Sequence, residues 1–243
     1  MTRYIDKNGF ILWPELFKGI LIRRYKRFMA DIELEDGQLI TAHCPNSGSM
    51  KQCSDPGRTV YVSESFNPNR KLKYTWELID MPNSLVGVNT MIPNILVTAA
   101  IKSSLIPQLS GYDLLRTEVK YNDNSRIDIL LEYKNNNNKQ CFVEIKNCSM
   151  VENEIAMFPD AVTSRGLKHM KALTEQVRSG HRAVVFFLVQ RMDAKIFRPA
   201  DHIDPSYGDA LRYAIKSGVE IIVCDVKITL KDISLFTQLP YDL

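Results

Sequence analysis

With 243 residues, 45% of them hydrophobic and 24% charged, the chain has the make-up of a globular protein holding one large core or two smaller ones. Its longest unbroken apolar run, 183–189, is far too short to cross a bilayer, and the first residues lack the apolar region of a secretory leader, so no membrane partner and a cytoplasmic location are expected. A net charge of +3 does not by itself mark a nucleic-acid binder, and five Cys without a CxxC pair point to reduced thiols rather than a disulfide framework or a zinc site.

The distribution of charge says more than its sum. Between Leu16 and Ala30 lie five basic residues, Lys18, Arg23, Arg24, Lys26 and Arg27, and no acid, interleaved with Phe17, Tyr25 and Phe28. A cationic surface with aromatics suits a phosphate backbone, and a basic hairpin that merely aids solubility suits the same pattern. Alternating apolar runs at 19–23, 28–34, 38–43, 58–63 and 71–79 read as five short strands with no helix between them. That pattern predicts a small β-barrel of the OB type, a class that often binds single-stranded nucleic acid on one face, although a generic small barrel fits too. The turn-rich loop 44–50 can expose consecutive backbone N–H groups as an anion nest, which makes Asn46 and Ser47 candidate DNA contacts, or it can be a plain tight turn.

Residues 80–84 carry Pro and Asn and mark a boundary, giving an OB-like domain over 1–82 and a second domain over 83–243. Beyond it the pattern alternates helix and strand. A helix is predicted over 94–106, with Asn94 as its cap and Pro107 ending it, then a strand over 114–121 containing Glu118.

Two apolar runs, 125–132 and 140–148, flank a polar loop with four consecutive Asn and predict a β-hairpin. Side chains alternate along a strand, so Asp128, Glu144 and Lys146 share one face while Ile127, Ile129, Val143 and Ile145 fill the other. If the hairpin folds about Asn136, Asp128 falls opposite Glu144 with Cβ atoms roughly 5 Å apart. Two buried carboxylates side by side repel unless a cation neutralises them. Mg²⁺ or Mn²⁺ on Asp128 and Glu144 would polarise a phosphodiester, with Lys146 orienting water or neutralising phosphate. An acid-x-Lys triplet alone decides nothing, because the chain has five. Only Glu144-x-Lys146 lies in an apolar strand with a second acid, Asp128, in the strand before. An ion pair on the solvated face of a sheet remains the competing explanation.

Downstream, Asp160, Thr163 or Ser164 is expected to cap a helix whose buried stripe is Leu167, Met170, Leu173 and Val177. Arg165 and His169, one turn apart, can face a phosphate; Glu118 and Arg126 are further candidates beside the acidic pair. Pro159-Asp160 lies after Glu144 rather than before it, so it is not assigned to the acidic pair. Residues 183–189 predict a buried strand, 205–218 a helix and 219–225 a last buried strand, completing a mixed α/β sheet. The order helix, three strands, helix, strand is that of a restriction-endonuclease-like core.

The segments 43–50 (HCPNSGSM), 85–90 (LVGVNT), 125–131 (SRIDILL), 143–147 (VEIKN) and 158–169 (FPDAVTSRGLKH) together resemble the sugar fermentation stimulation protein A family over essentially the whole chain. The resemblance implies an OB-like domain, a nuclease-like domain of the PD-(D/E)XK type, DNA binding without strong sequence preference to single or double strands, and a regulatory role in sugar (maltose) metabolism. It puts the family's acidic pair and lysine on Asp128, Glu144 and Lys146. Ile127 stands where the wider superfamily has proline. Two functions are therefore carried forward, a divalent-metal phosphodiesterase and a non-catalytic DNA-binding regulator. A weaker third, an enzyme of small phosphorylated sugars, lacks any recognisable nucleotide loop.

Overall fold

The computed structural model describes residues 5–6, 9–122, 125–134 and 136–243. After the two-residue strand β1 (Ile11–Leu12) come β2 (Leu16–Tyr25), β3 (Met29–Leu34), β4 (Leu39–His43), β5 (Thr59–Glu64), β6 (Tyr74–Met81) and β7 (Ser84–Gly87). Strands β2 to β7 form one antiparallel sheet in the order β4-β3-β2-β5-β6-β7, and a parallel pairing of Ala42 with Tyr74 and His43 with Thr75 joins β4 to β6. The result is a closed five-strand barrel, as the alternation predicted. Leu21, Ile32, Val60, Val62, Trp76 and Ile79 fill it, all fully buried. Burying a side chain of this size is worth about 1.5–3 kcal/mol.

The expected boundary after residue 82 falls inside the β6–β7 hairpin, so the barrel sheet continues to Gly87. There the Gly87 amide donates to the Gln190 carbonyl at 2.9 Å, which hands the chain to the second domain.

That domain comprises α1 (Ile92–Lys102), a 3₁₀ turn, β8 (Leu114–Asn122), β9 (Ser125–Tyr133), β10 (Asn136–Cys148), β11 (Met150–Glu152), β12 (Ile155–Phe158), α2 (Ser164–Arg178), β13 (Arg182–Val189), β14 (Ile196–Pro199), α3 (Pro205–Lys216), β15 (Glu220–Ile228) and β16 (Asp232–Gln238). Its main sheet runs β1-β16-β15-β13-β10-β9-β8, with β10, β13 and β15 parallel and the other neighbours antiparallel. The parallel centre is apolar on both faces, as strands covered by helices must be. One cluster joins α1 to Ile129, Leu131, Val143, Ile145 and Phe186. The other joins α2 and α3 to Leu130, Phe142, Phe187 and Val223. Strands β11, β12 and β14 form a small separate sheet. Among the described residues no helix is long and apolar enough to cross a membrane.

Three helical expectations meet the structure differently. Helix α1 starts at Ile92 with Met91 as a cap that makes no side-chain bond, so Asn94 is not the cap. Pro93 supplies the first turn instead, where its missing N–H costs nothing. Thr163 is the α2 cap, its hydroxyl accepting from the Gly166 amide at 3.0 Å. Asp204, to which no role was given, caps α3 and also accepts from the Thr163 amide at 2.9 Å, so one carboxylate ties two helix starts together.

Candidate active site

Strands β9 and β10 pair antiparallel with Val143 opposite Ile129 and Phe142 opposite Leu130. Continuing that register sets Glu144 across from Asp128. The loop on which the expectation turned includes Asn135, which lies outside the described residues. A register shift between Asn136 and Cys141 absorbs the loop's irregularity, so the pairing near the acids is the predicted one. Ile129, Val143 and Ile145 fill the α1 face, whereas Ile127 packs with the α2 cluster.

Glu144 and Lys146 are buried, and Lys146 Nζ donates to Glu144 Oε1 at 2.7 Å. His169, reaching over from α2, sets Nδ1 against the same Oε1 and 3.0 Å from Lys146 Nζ. Arg165 Nε donates to His169 Nε2 at 3.3 Å. Nε2 therefore meets a donor, while Nδ1 lies between the Lys146 ammonium, a donor, and Glu144 Oε1, an acceptor. The helical spacing of Arg165 and His169 thus brings both into the acidic site.

Asp128 takes two donors, the Ile145 amide at 2.7 Å on Oδ2 and Asn94 Nδ2 at 2.9 Å on Oδ1. Burial, reinforced by the charge of Glu144, pushes its pKa up to about 6 against those hydrogen bonds. Burial also opposes the charged form of Glu144. There the Lys146 ammonium and the His169 contact outweigh it and hold the carboxyl below its ordinary range. The pair is therefore split into one carboxylate that is neutralised internally and one acid poised near neutrality.

Glu118 sits on β8, where Thr117 pairs with Ile129 and Val119 with Ile127, so it falls opposite Asp128. Its φ of 55° is left-handed in the middle of a strand, a conformation that costs a non-glycine residue about 1–3 kcal/mol and gathers at functional sites. Asn94 Nδ2 also reaches Glu118 Oε1 at 3.4 Å. Glu118, Asp128 and Glu144 thus lie in line across three neighbouring strands. Among the described residues, no three His, Cys, Asp or Glu are drawn together tightly enough to hold a metal by themselves. Arg126 is exposed and lines no part of the cleft.

These groups floor a cleft of about 720 Å³ whose opposite wall is the barrel loop carrying Asn46, Ser47, Gly48 and Ser49, flanked by Arg24 and Arg27. Arg24 is committed to that loop. Its Nη1 donates to Ser49 O at 2.9 Å and its Nη2 to Asn46 O and Gly48 O at 2.8 and 2.9 Å. Arg23 pairs with Asp31 at 2.8 Å. Asn46 is buried, donating to Val88 O at 3.2 Å and accepting from the Gly48 amide at 2.8 Å. Lys26, Arg27 and Ser47 remain exposed.

The loop does hold an anion, and it is internal. Asp160 accepts from the Met50 amide at 3.1 Å, while the Ser49 hydroxyl donates to the Asp160 carbonyl at 2.7 Å. The Pro159-Asp160 dipeptide therefore clasps barrel to sheet domain, a contact 110 residues apart in sequence that no local pattern signals. A Cβ on Gly48 would lie 2.6 Å from Asp160 Oδ2. Gly48→Ala is accordingly expected to cost about 1–3 kcal/mol, read as a lower urea midpoint; an unmoved midpoint would show that the clasp can yield.

A closed OB barrel is joined to a mixed α/β sheet domain, with the buried Glu144 and Lys146 and the half-buried Asp128 in the cleft between them. Residues 22–88 match the SfsA N-terminal OB domain and residues 91–232 the Sugar fermentation stimulation protein RE domain. The chain belongs to the sugar fermentation stimulation protein family. It is 54% identical over 207 residues to a Sugar fermentation stimulation protein homolog of Geotalea uraniireducens, covering 85% of this chain and 88% of that one. A homolog from Geobacter sulfurreducens is 50% identical over 230 residues, 95% of this chain and 97% of the other. The solved Pyrococcus furiosus SfsA, described as in complex with Ca²⁺, superposes over the whole of both chains with a TM-score of 0.87 at 25% identity.

Proposed function

We propose that this chain binds DNA with little sequence preference and, with Mg²⁺ or Mn²⁺ held on Asp128 and Glu144, hydrolyses phosphodiesters in the interdomain cleft. The observation that carries this reading is the acidic pair itself: buried Glu144 and half-buried Asp128 across β9 and β10, both lining the cleft. One of them has its pKa raised to about 6 by burial and by the other's charge, a field that a divalent cation relieves. Carboxylate oxygens are the donors that Mg²⁺, Mn²⁺ and Ca²⁺ prefer, and the Pyrococcus furiosus relative is described with Ca²⁺. When bound, such an ion polarises the phosphodiester and lowers the pKa of a water.

The chain's own residues supply the rest. Asn94 and the Ile145 amide fix the Asp128 carboxyl. Lys146 is placed to neutralise phosphate charge or orient the attacking water, and Arg165 and His169 wall the same side. Lys26 and Arg27 supply free cations for the backbone.

The test is incubation of supercoiled, linear and single-stranded DNA with Mg²⁺ or Mn²⁺. Cleavage should vanish in Asp128→Asn and fall by about a hundredfold or more in Lys146→Ala. Undiminished cleavage in both rejects the site.

One observation favours a second reading. The Lys146 ammonium already neutralises Glu144 without any ion, with His169 Nδ1 on the same oxygen. A non-catalytic DNA-binding regulator of sugar (maltose) metabolism would keep that arrangement. It predicts salt-dependent binding in EDTA, weakened uniformly across sequences by losing Lys26 and Arg27, and no cleavage under any metal.

A further inference from the structure

We propose that Asn147 is a further substrate-contacting residue of the candidate site, its side-chain NH2 donating to a phosphate oxygen of a strand in the cleft, and that the buried Gln190 is the positioning residue that turns it there. This rests on the DNA reading above and names one contact within it.

Gln190 follows β13 and is 0% exposed. Its amide donates to the Cys148 carbonyl and its carbonyl accepts from the Gly87 amide, both at 2.9 Å. Its side-chain Nε2 donates to Asn89 O at 3.3 Å and to Asn147 Oδ1 at 2.7 Å. A backbone carbonyl can only accept, so the end of the Gln190 amide facing Asn89 is its NH2; the flipped amide would set oxygen against oxygen. The same NH2 faces Asn147, whose oxygen end must meet it. Asn147 Nδ2 is thereby turned away from Gln190. It has no acceptor among the described residues and is not one of the buried atoms left without a partner, so it opens to solvent. The half-buried Asn147 lines the cleft, which is the solvent it meets.

Successive side chains leave a strand on opposite faces. Lys146 projects with His169 toward α2, whereas Asn147 follows Val143 and Ile145 toward α1, the helix from which Asn94 reaches Asp128. The two neighbours on β10 therefore flank the acidic pair from both sides. An amide carries no charge, so it does not compete with a cation for Asp128 and Glu144, and its N–H bonds strengthen on a charged acceptor such as phosphate. Gln190 is itself braced from the barrel. Asn89, whose carbonyl takes Nε2, donates Nδ2 to Glu77 Oε2 at 2.8 Å, and Ser63 Oγ donates to Glu77 Oε1 at 2.7 Å, all of them buried. Gln190 Oε1, by contrast, is buried with no partner, facing Gly87 where a Cβ would lie 2.5 Å from it. An orphaned acceptor at this depth costs stability, and the amide orientation that leaves it orphaned is the one that aims Asn147 into the cleft.

Fluorescence anisotropy of the full chain with labelled DNA duplexes in Ca²⁺, the DNA checked intact afterwards, tests this apart from any cleavage. Asn147→Ala should weaken binding about tenfold, the loss of one hydrogen bond to a charged acceptor. The loss should be equal for two duplexes of unrelated sequence, because a phosphate contact carries no base information. Gln190→Met keeps the volume and deletes the donor; it should weaken binding as much, and the double variant no further, since one contact is lost in all three. A Gln190 with a structural role alone would lower the urea midpoint and leave the affinity unchanged. Wild-type affinity in Asn147→Ala overturns the contact and leaves the DNA reading intact, whatever becomes of Gln190→Met. Losses that add in the double variant overturn the positioning role, and a loss that depends on sequence overturns the phosphate assignment. Failure of the wild-type chain to bind DNA overturns this contact and the DNA reading together.

Discussion

Glu144→Ala is expected to cost about 3 kcal/mol of unfolding free energy in EDTA at pH 7, the lower end of what breaking a buried ion pair costs. The reason lies in what stays behind. Lys146 is 9% exposed and loses the one carboxylate hydrogen bond it has among the described residues, and His169 Nδ1 loses its carboxylate contact. An uncompensated buried ammonium is far more costly than a missing attraction. Part of the loss is recovered because Asp128, freed from the neighbouring negative charge that helps raise its pKa, ionises more readily and faces Lys146 in turn. Adding Lys146→Met removes the orphaned charge, so the double variant should be more stable than Glu144→Ala alone. Urea unfolding of the three proteins measures this. A single-variant loss below about 1 kcal/mol would mean that water reaches Lys146 and that the pair is not buried in solution.

Asp128→Asn acts in the opposite direction. The folded chain holds this carboxyl at about 6, against 3.8 as its ordinary value, so between those pH values the folded state binds more protons than the unfolded one. Stability contributed by the protonated group is complete below about pH 4 and lost as pH rises through 6. The interval amounts to about 3 kcal/mol of penalty at pH 8. Asparagine carries no such penalty and keeps one oxygen for the Ile145 amide. The variant should therefore melt higher than wild type at pH 8 in EDTA, with the gap closing near pH 4. The depressed pKa of Glu144 gives the contrary slope, stabilising above its unfolded value and failing in acid, but it is common to both proteins and cancels in the comparison. Added Mg²⁺ or Mn²⁺ should raise the melting temperature of wild type and not of the variant, because only a folded site with both acids gains from the ion. A variant no more stable than wild type at pH 8 would place Asp128 in open water.

Much of this was legible from the residues. Barrel strands such as β2 and β3 announce themselves because one face is wet and the other dry, and the acidic pair is found by the same rule of two together with an apolar setting. Short strands such as β1, β7, β11, β12 and β14 escape notice, since two to four residues are too few to show a period. Strand β16 is missed because its exposed half, with Phe236 bare, follows no alternation. At the site the order of amino acids falls short for separate reasons. Asn94 reads as a cap until Pro93 is credited with the first turn, and only then is its amide free to reach Asp128 and Glu118. The left-handed backbone of Glu118 leaves no mark in the order of amino acids. Arg24 and Asn46 suggest phosphate contacts by type, yet carbonyl and amide groups of the barrel loop engage them first. Asp160 was set aside for standing on the wrong side of Glu144, and its use is to join two domains, which only the third dimension records.

The pairing of β1 with β16 has a consequence for biosynthesis. Ile11 lies against Ile233, so a strand made early must wait for one made more than 200 residues later before its edge of the sheet exists. The barrel, whose strands are all consecutive, can mature during that delay. A stalled or shortened nascent chain would then carry a finished barrel attached to an open, apolar half-sheet, the species that chaperones would be called on to shield.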